Sequence, residues 1–267
     1  MRKISKPQQT AWLAAPALAF SLFTAFPAFS QTTAPAAPAT PAQAAAPNPE
    51  DAALGQQLIA GAQLLQAGQP ARAITDYFDK IIAAYELRYQ GEKNKIYTSR
   101  GPVESLLYLL QATASKEEPK RGAIIVAQHW SDAWYLKGYA LVELRRPAEA
   151  RSALEAALAL APRNSQYLGE LGNLYLGQRD WPAAMKIFEQ AEAAAREFSP
   201  PEVKNKELSR AWRGLGYVYV EQGRWDDAEQ IYLKCLELDR NDRRAQNELN
   251  YVRAQRPAQR TPAAATP

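Results

Sequence analysis

The sequence holds one histidine (His129), one cysteine (Cys235) and two methionines among 267 residues. These scarcities remove whole classes of chemistry. A lone cysteine cannot close a disulfide within the chain, so packed apolar surface must hold the fold together. One His and one distant Cys cannot assemble a zinc site or a Cys-His nucleophilic pair. A Ser-His-Asp arrangement would have to use His129, and the sequence has no Gly-x-Ser-x-Gly elbow. It also lacks a phosphate-cradling glycine-rich loop and a dinucleotide fingerprint. The expectation is no catalytic centre, no cofactor and no metal. An uncharacterised hydrolase is the remaining enzymatic alternative, and it would need a deep pocket with clustered ionisable groups.

Acidic residues are absent before Glu50, whereas Arg2, Lys3 and Lys6 stand at the start. An apolar run follows from Ala11 to Phe29, broken by Pro16 and Pro27, and Ala28-Phe29-Ser30 places small residues where a signal peptidase reads them. Residues 1–30 therefore read as a signal peptide cut before Gln31, which implies export, periplasmic in a bacterial cell. The alternative is an uncleaved inner-membrane anchor, and a membrane partner enters only in that case. The formal charge is +4, and Arg2, Lys3 and Lys6 account for three of it, leaving +1 after the cut. A pI of about 9.0 is thus no sign of nucleic-acid binding. The later arginines Arg240, Arg243, Arg244, Arg253, Arg256 and Arg260 read as a solvated helix face.

Residues 31–50 are almost entirely Ala, Pro, Thr and Gln, an Ala/Pro-rich linker without large apolar groups to bury. A tail of similar composition covers 255–267. Between them apolar residues recur at three- and four-residue steps, with Gly or Pro at the intervals expected between short helices. Strand-like alternation is nearly missing; Lys95-Ile96-Tyr97-Thr98 is the nearest candidate.

The helices repeat. Trp212, Leu215, Gly216 and Tyr219 are followed by Ala228, Tyr232 and Cys235; Leu168, Leu171, Gly172 and Tyr175 by Ala184, Phe188 and Ala191; Trp134, Gly138 and Leu141 by Ala150, Leu154, Ala157 and Pro162. This arrangement resembles the tetratricopeptide-repeat (TPR) family, closely over 131–254 and loosely over 51–130. Each glycine and the alanine after it sit where two antiparallel helices approach closely, and the large residues fill the space between pairs. Gly172 and Gly216 are ten residues further apart than a 34-residue repeat allows. That excess, within 192–208, reads as a lengthened second helix, a proline-capped turn and a lengthened first helix. Upstream, Gly61, Leu64, Gly68, Ala73 and Tyr77 fit a degenerate repeat. The polar 88–122 insert contains a helix from Pro102 to Thr113, and Ala123 to Val126 reads as the end of a second helix. Asp242 to Arg253 reads as a capping helix.

The resemblance implies an all-α, right-handed solenoid whose concave surface, lined by first helices, binds a peptide or a partner helix. The candidate partner-binding residues on that surface are Tyr135, Tyr139, Asn173, Arg210, Arg213 and Tyr217, which supply stacking area, backbone hydrogen bonds and a carboxylate clamp. The reading is a non-catalytic scaffold or adaptor in the cell envelope, with a membrane-tethered structural component as the alternative.

Overall fold

A computed structural model describes residues 48–114 and 122–255. The signal segment, most of the linker and the C-terminal tail lie outside these residues. The chain divides into two compact units, Met1–Ala53 and Leu54–Pro267. Of the first, only the residues opening helix α1 (Pro49–Gln66) are described.

The second unit is built from helical hairpins. Helix α1 leads into α2 (Pro70–Ala73), a π-type turn at Ile74–Phe78 and α3 (Asp79–Arg88). Three hairpins follow further on: α5 (His129–Glu143) with α6 (Pro147–Leu160), α7 (Ser165–Gln178) with α8 (Trp181–Glu197), and α9 (Pro201–Glu221) with α10 (Trp225–Leu238). Helix α11 (Arg243–Gln255) closes the array by burying Ala245, Leu249 and Val252 against α9 and α10. Asp242 caps it, its carboxylate accepting from the amides of Arg244 and Ala245 at 3.1 Å each. Helix α11 thereby covers the apolar edge that a terminal repeat would otherwise expose.

The motif glycines explain the hairpin geometry. A methyl group at Gly138 would stand 2.8 Å from Leu154, at Gly172 2.7 Å from Phe188, and at Gly216 2.5 Å from Tyr232. In each pair the large residue follows its glycine by the same sixteen positions. The upstream repeat departs from this spacing. Gly61 meets Phe78 at 2.6 Å, and Phe78 is fully buried while Tyr77, expected in that slot, is only partly covered. The π-type turn inserts one residue and moves the aromatic slot along by one.

A second regularity lies in the turns. Gly68, Arg145, Arg179 and Gly223 occupy the same place after their motif glycines, and all four have positive φ, from 57° to 71°. In each turn the amide of that residue and the next reach back to helix carbonyls, such as Arg145 to Val142 and Arg146 to Leu141. This is the left-handed helix stop that glycine favours, adopted here twice by arginine.

The ten-residue excess is distributed as the sequence indicates: α8 runs to Glu197, Pro200 precedes α9, and α9 is 21 residues long. The 88–122 insert corrects one expectation. Ala123–Val126 is not the end of a helix but strand β2, paired in parallel with β1 (Lys95–Thr98), and α4 (Pro102–Ala114) makes the crossover. Ile124, Ile125 and Val126 are β-branched, which favours a strand. Their partner segment lies almost thirty residues upstream, beyond the reach of a local pattern. The fold is an all-α solenoid of antiparallel helix pairs carrying one β-α-β insert.

The two insertions meet each other. Arg100, between β1 and α4, donates to Glu104 of α4 at 3.3 Å and to Glu207 of α9 at 2.7 Å. The backbone amide of Arg100 adds a 2.7 Å bond to Glu104, and Glu207 also accepts from Ser199. Tyr108 donates to Glu104 at 3.0 Å and accepts from the amide of Arg163 at 3.1 Å. Its ring stacks on Tyr97 and on Phe198, with centroids 5.0 and 6.0 Å away. Burial and the Glu104 charge together push the Tyr108 hydroxyl far above its ordinary range. The β-α-β insert is thus tied through charged and aromatic groups to the loop before α7 and the lengthened start of α9.

Candidate functional site

The first helices α5, α7 and α9 stand side by side and carry the six candidate residues. They fall into two groups. Tyr135 on α5 is buried, stacked on Tyr167 with centroids 4.9 Å apart, and its hydroxyl accepts from Gln166 of α7 at 3.0 Å. Arg210 on α9 pairs with Glu170 of α7 at 3.2 Å and packs its stem over Gly169, where no side chain stands in the way. Asn173 donates weakly to the same Glu170, at 3.4 Å. Tyr139 is half-buried one turn after Tyr135; desolvation and the charges of Glu143 and Glu170 push its hydroxyl up to about 12. The charge of Glu170 also reaches the Tyr135 hydroxyl, so this carboxylate connects four of the candidates through direct bonds or charge.

The other two candidates lie toward the cap. Arg213 pairs with Asp242, the residue that caps α11. Tyr217 packs against Trp181 with centroids 6.2 Å apart, and its hydroxyl is raised by desolvation, Glu221 and Glu248 against the pull of Arg179.

This arrangement changes the part each residue plays. Tyr135 is an interior packing residue, and the side chains of Arg210 and Arg213 are little more than a fifth exposed, each already holding a carboxylate of its own chain. A carboxylate clamp for a ligand would have to break those pairs. Tyr139, Asn173 and Tyr217 remain at solvent-accessible, equivalent places, each directly after a motif glycine. Tyr251 on α11 continues that register 34 positions after Tyr217 and is 44% exposed. Sequence reasoning missed it because no glycine or tryptophan marks the cap as a repeat. Glu143, Glu170, Glu221 and Glu248 were missed as well; their signal is the same helical register, four residues after a tyrosine or three before an Asn or Tyr.

A separate polar cluster lies deeper. Asp132 accepts from Tyr167 at 2.6 Å and from Gln128 at 3.2 Å, while Ser131 lies 3.1 Å from Tyr167 and 2.7 Å from Thr98. Burial pushes the Asp132 carboxyl up, against those two hydrogen bonds. The cluster joins β1 to α5 and α7. Cys235 is fully buried with its thiol pushed up to about 11 by burial, so it fills an interior slot and is not a reactive thiol. No group of three or more His, Cys, Asp or Glu side chains that could hold a metal occurs among the described residues. Among them, also, no helix is long and apolar enough to cross a membrane.

Comparisons with known proteins agree with the repeat geometry. Family models described as tetratricopeptide repeat match residues 135–200 and 209–242. No curated protein matches the chain by sequence. Among solved structures, PilF of Pseudomonas aeruginosa is 17% identical with a TM-score of 0.53, covering 77% of this chain and 69% of that one. MamA of Desulfovibrio magneticus is 14% identical with a TM-score of 0.47, covering 75% and 84%. The N-terminal domain of the stress-induced protein-1 of C. elegans is 17% identical with a TM-score of 0.42, covering 47% and 96%. The first of these shows a shared fold.

Proposed function

The chain is a tetratricopeptide-repeat protein, and from that premise we propose that it is a non-catalytic scaffold of the cell envelope that holds a partner protein along its first helices. The observation that carries this reading is the row formed by Tyr139, Asn173 and Tyr217. Three equivalent positions on adjacent helices present partly or fully exposed groups with both a flat face and a hydrogen-bonding end. Such groups bind an extended segment through stacking area and backbone hydrogen bonds with little loss of rotamer freedom. The interior residues beneath them, Tyr135, Arg210 and Glu170, fix the helices that carry the row.

Location in the envelope rests on the N-terminal signal segment of the sequence. The second reading, a membrane-tethered structural component, rests on the Ala/Pro-rich stretch at 31–50, which would space the solenoid from a surface if the apolar segment before it were retained. Mass spectrometry of the mature N-terminus separates the two. A chain beginning at Gln31 removes the tether, and a chain retaining residues 11–29 supports it.

The binding role is tested by affinity capture from envelope extract with wild type and Tyr139→Ala/Tyr217→Ala. Arg213 is left intact because it holds the cap through Asp242. The proposal expects specific partners to be lost from the double variant while its helical circular dichroism is unchanged. Equal recovery of the same partners by both proteins overturns the assignment of the row.

A further inference from the structure

The charge along the row gives the partner's chemistry. Both arginines that the row could offer to an acidic segment are engaged within the chain, Arg210 by Glu170 and Arg213 by Asp242. The carboxylates are placed differently. Glu143 and Glu221 follow Tyr139 and Tyr217 by four residues, so each lies one helical turn beyond its tyrosine. The charge of each bears on that tyrosine's hydroxyl, and neither carboxylate has a cation within ion-pairing distance among the described residues. Glu248 on α11 is half-buried, no cation or hydrogen-bond donor partners it among the described residues, and its charge reaches Tyr217. Arg179 is the cation whose charge also reaches Tyr217, and the two carboxylates outweigh it there. Lys206, an exposed cation near Arg210, stands about three turns before Tyr217 on α9, displaced along the helix axis away from the row.

We propose that the row takes an extended segment bearing at least two Lys or Arg side chains, held between the tyrosine faces and the carboxylates one turn beyond them. This rests on the binding role given to the row above. Two kinds of complementarity favour such a segment. An ammonium or guanidinium gains from the negative face of a tyrosine ring and from a carboxylate that lacks a counter-charge. It also relieves Glu248, whose charge is partly stripped of water without compensation. An acidic segment meets the reverse: repulsion by three carboxylates, and arginines it must first pull from their own partners.

The spacing follows from the fold. Adjacent packed helices lie ~8–10 Å apart, so two steps from α5 through α7 to α9 separate the tyrosine–glutamate pairs by roughly 16–20 Å. An extended chain advances ~3.3 Å per residue, which places the two cations about five or six residues apart.

A random 12-residue peptide library displayed on phage, selected on the full chain, tests this. Selected sequences are expected to be enriched in Lys and Arg pairs at that spacing. Synthetic peptides from the pool, followed by fluorescence anisotropy, should bind Glu143→Gln/Glu221→Gln about tenfold more weakly, roughly threefold for each partly exposed ion pair lost. The exposed second-helix control Glu155→Gln should change nothing. Enrichment in Asp and Glu, or full binding to the Gln variant by peptides that lose affinity for Tyr139→Ala/Tyr217→Ala, overturns the cationic partner and leaves the row standing. Peptides indifferent to both double variants, or a selection that yields no binders, overturn the row itself.

Discussion

Replacing Arg100 by alanine removes a cation that bridges two buried carboxylates. The side chains of Arg100, Glu104 and Glu207 are 11%, 2% and 8% exposed. Breaking a buried ion pair from one side costs about 3–5 kcal/mol, because the charge left behind has lost its water without keeping its partner. Part of that loss is offset in Arg100→Ala. Glu104 keeps the Tyr108 hydroxyl and the residue 100 amide, and Glu207 keeps Ser199. The lower end, about 3 kcal/mol, is the expectation. Replacing all three by neutral groups, Arg100→Met/Glu104→Gln/Glu207→Gln, leaves no orphaned charge and should remain within about 1 kcal/mol of wild type. Urea unfolding followed by tryptophan fluorescence gives the two losses. Hydrogen exchange should place the early opening of Arg100→Ala in α4 and the start of α9, since repeat arrays transmit disruption mainly to neighbours. A single variant losing under about 1 kcal/mol, or a triple variant losing as much as the single one, refutes the reasoning.

The turn position at Arg145 has φ 57°, so Arg145→Gly should stabilise the fold by about 0.5–1 kcal/mol, the left-handed penalty less the extra chain entropy of glycine; a rise in thermal midpoint checks it, and Arg145→Val should lower it. The raised Asp132 carboxyl means that folding favours its neutral form. Its contribution is complete below the ordinary carboxylate range and is lost as pH rises through the raised value. Asp132→Asn should therefore gain stability relative to wild type as pH increases from acid to neutral, read as the difference of two urea midpoints at each pH. Cys235, with its thiol pushed up to about 11, should stay unmodified by a thiol-specific disulfide reagent at pH 8 in the native state and react at once in denaturant.

The three regular hairpins were legible because their information is local. A glycine and the large residue sixteen positions later are enough to specify a close helix crossing, and Gly138–Leu154, Gly172–Phe188 and Gly216–Tyr232 all obey it. The lengthened α8 and α9 were legible for the same reason: Ser199-Pro200-Pro201 marks a stop and a start within one window. What could not be read lies outside the repeat spacing. Strand β2 is a strand because Lys95–Thr98 pairs with it, and the Phe78 slot exists because a π-type turn intervenes. The candidate row was half legible. Register alone picked out Tyr139, Asn173 and Tyr217, but the engagement of Arg210 and Arg213 depends on Glu170 and Asp242, which lie on other helices.

The binding claim is tested most directly by placing a photo-crosslinking amino acid at position 139, 173 or 217 and, as a control, at Glu155, which is exposed on a second helix. Irradiation in envelope extract should yield the same crosslinked partner from all three row positions and none from position 155. A partner captured equally from position 155, or different proteins from each row position, would contradict a common binding surface along the first helices.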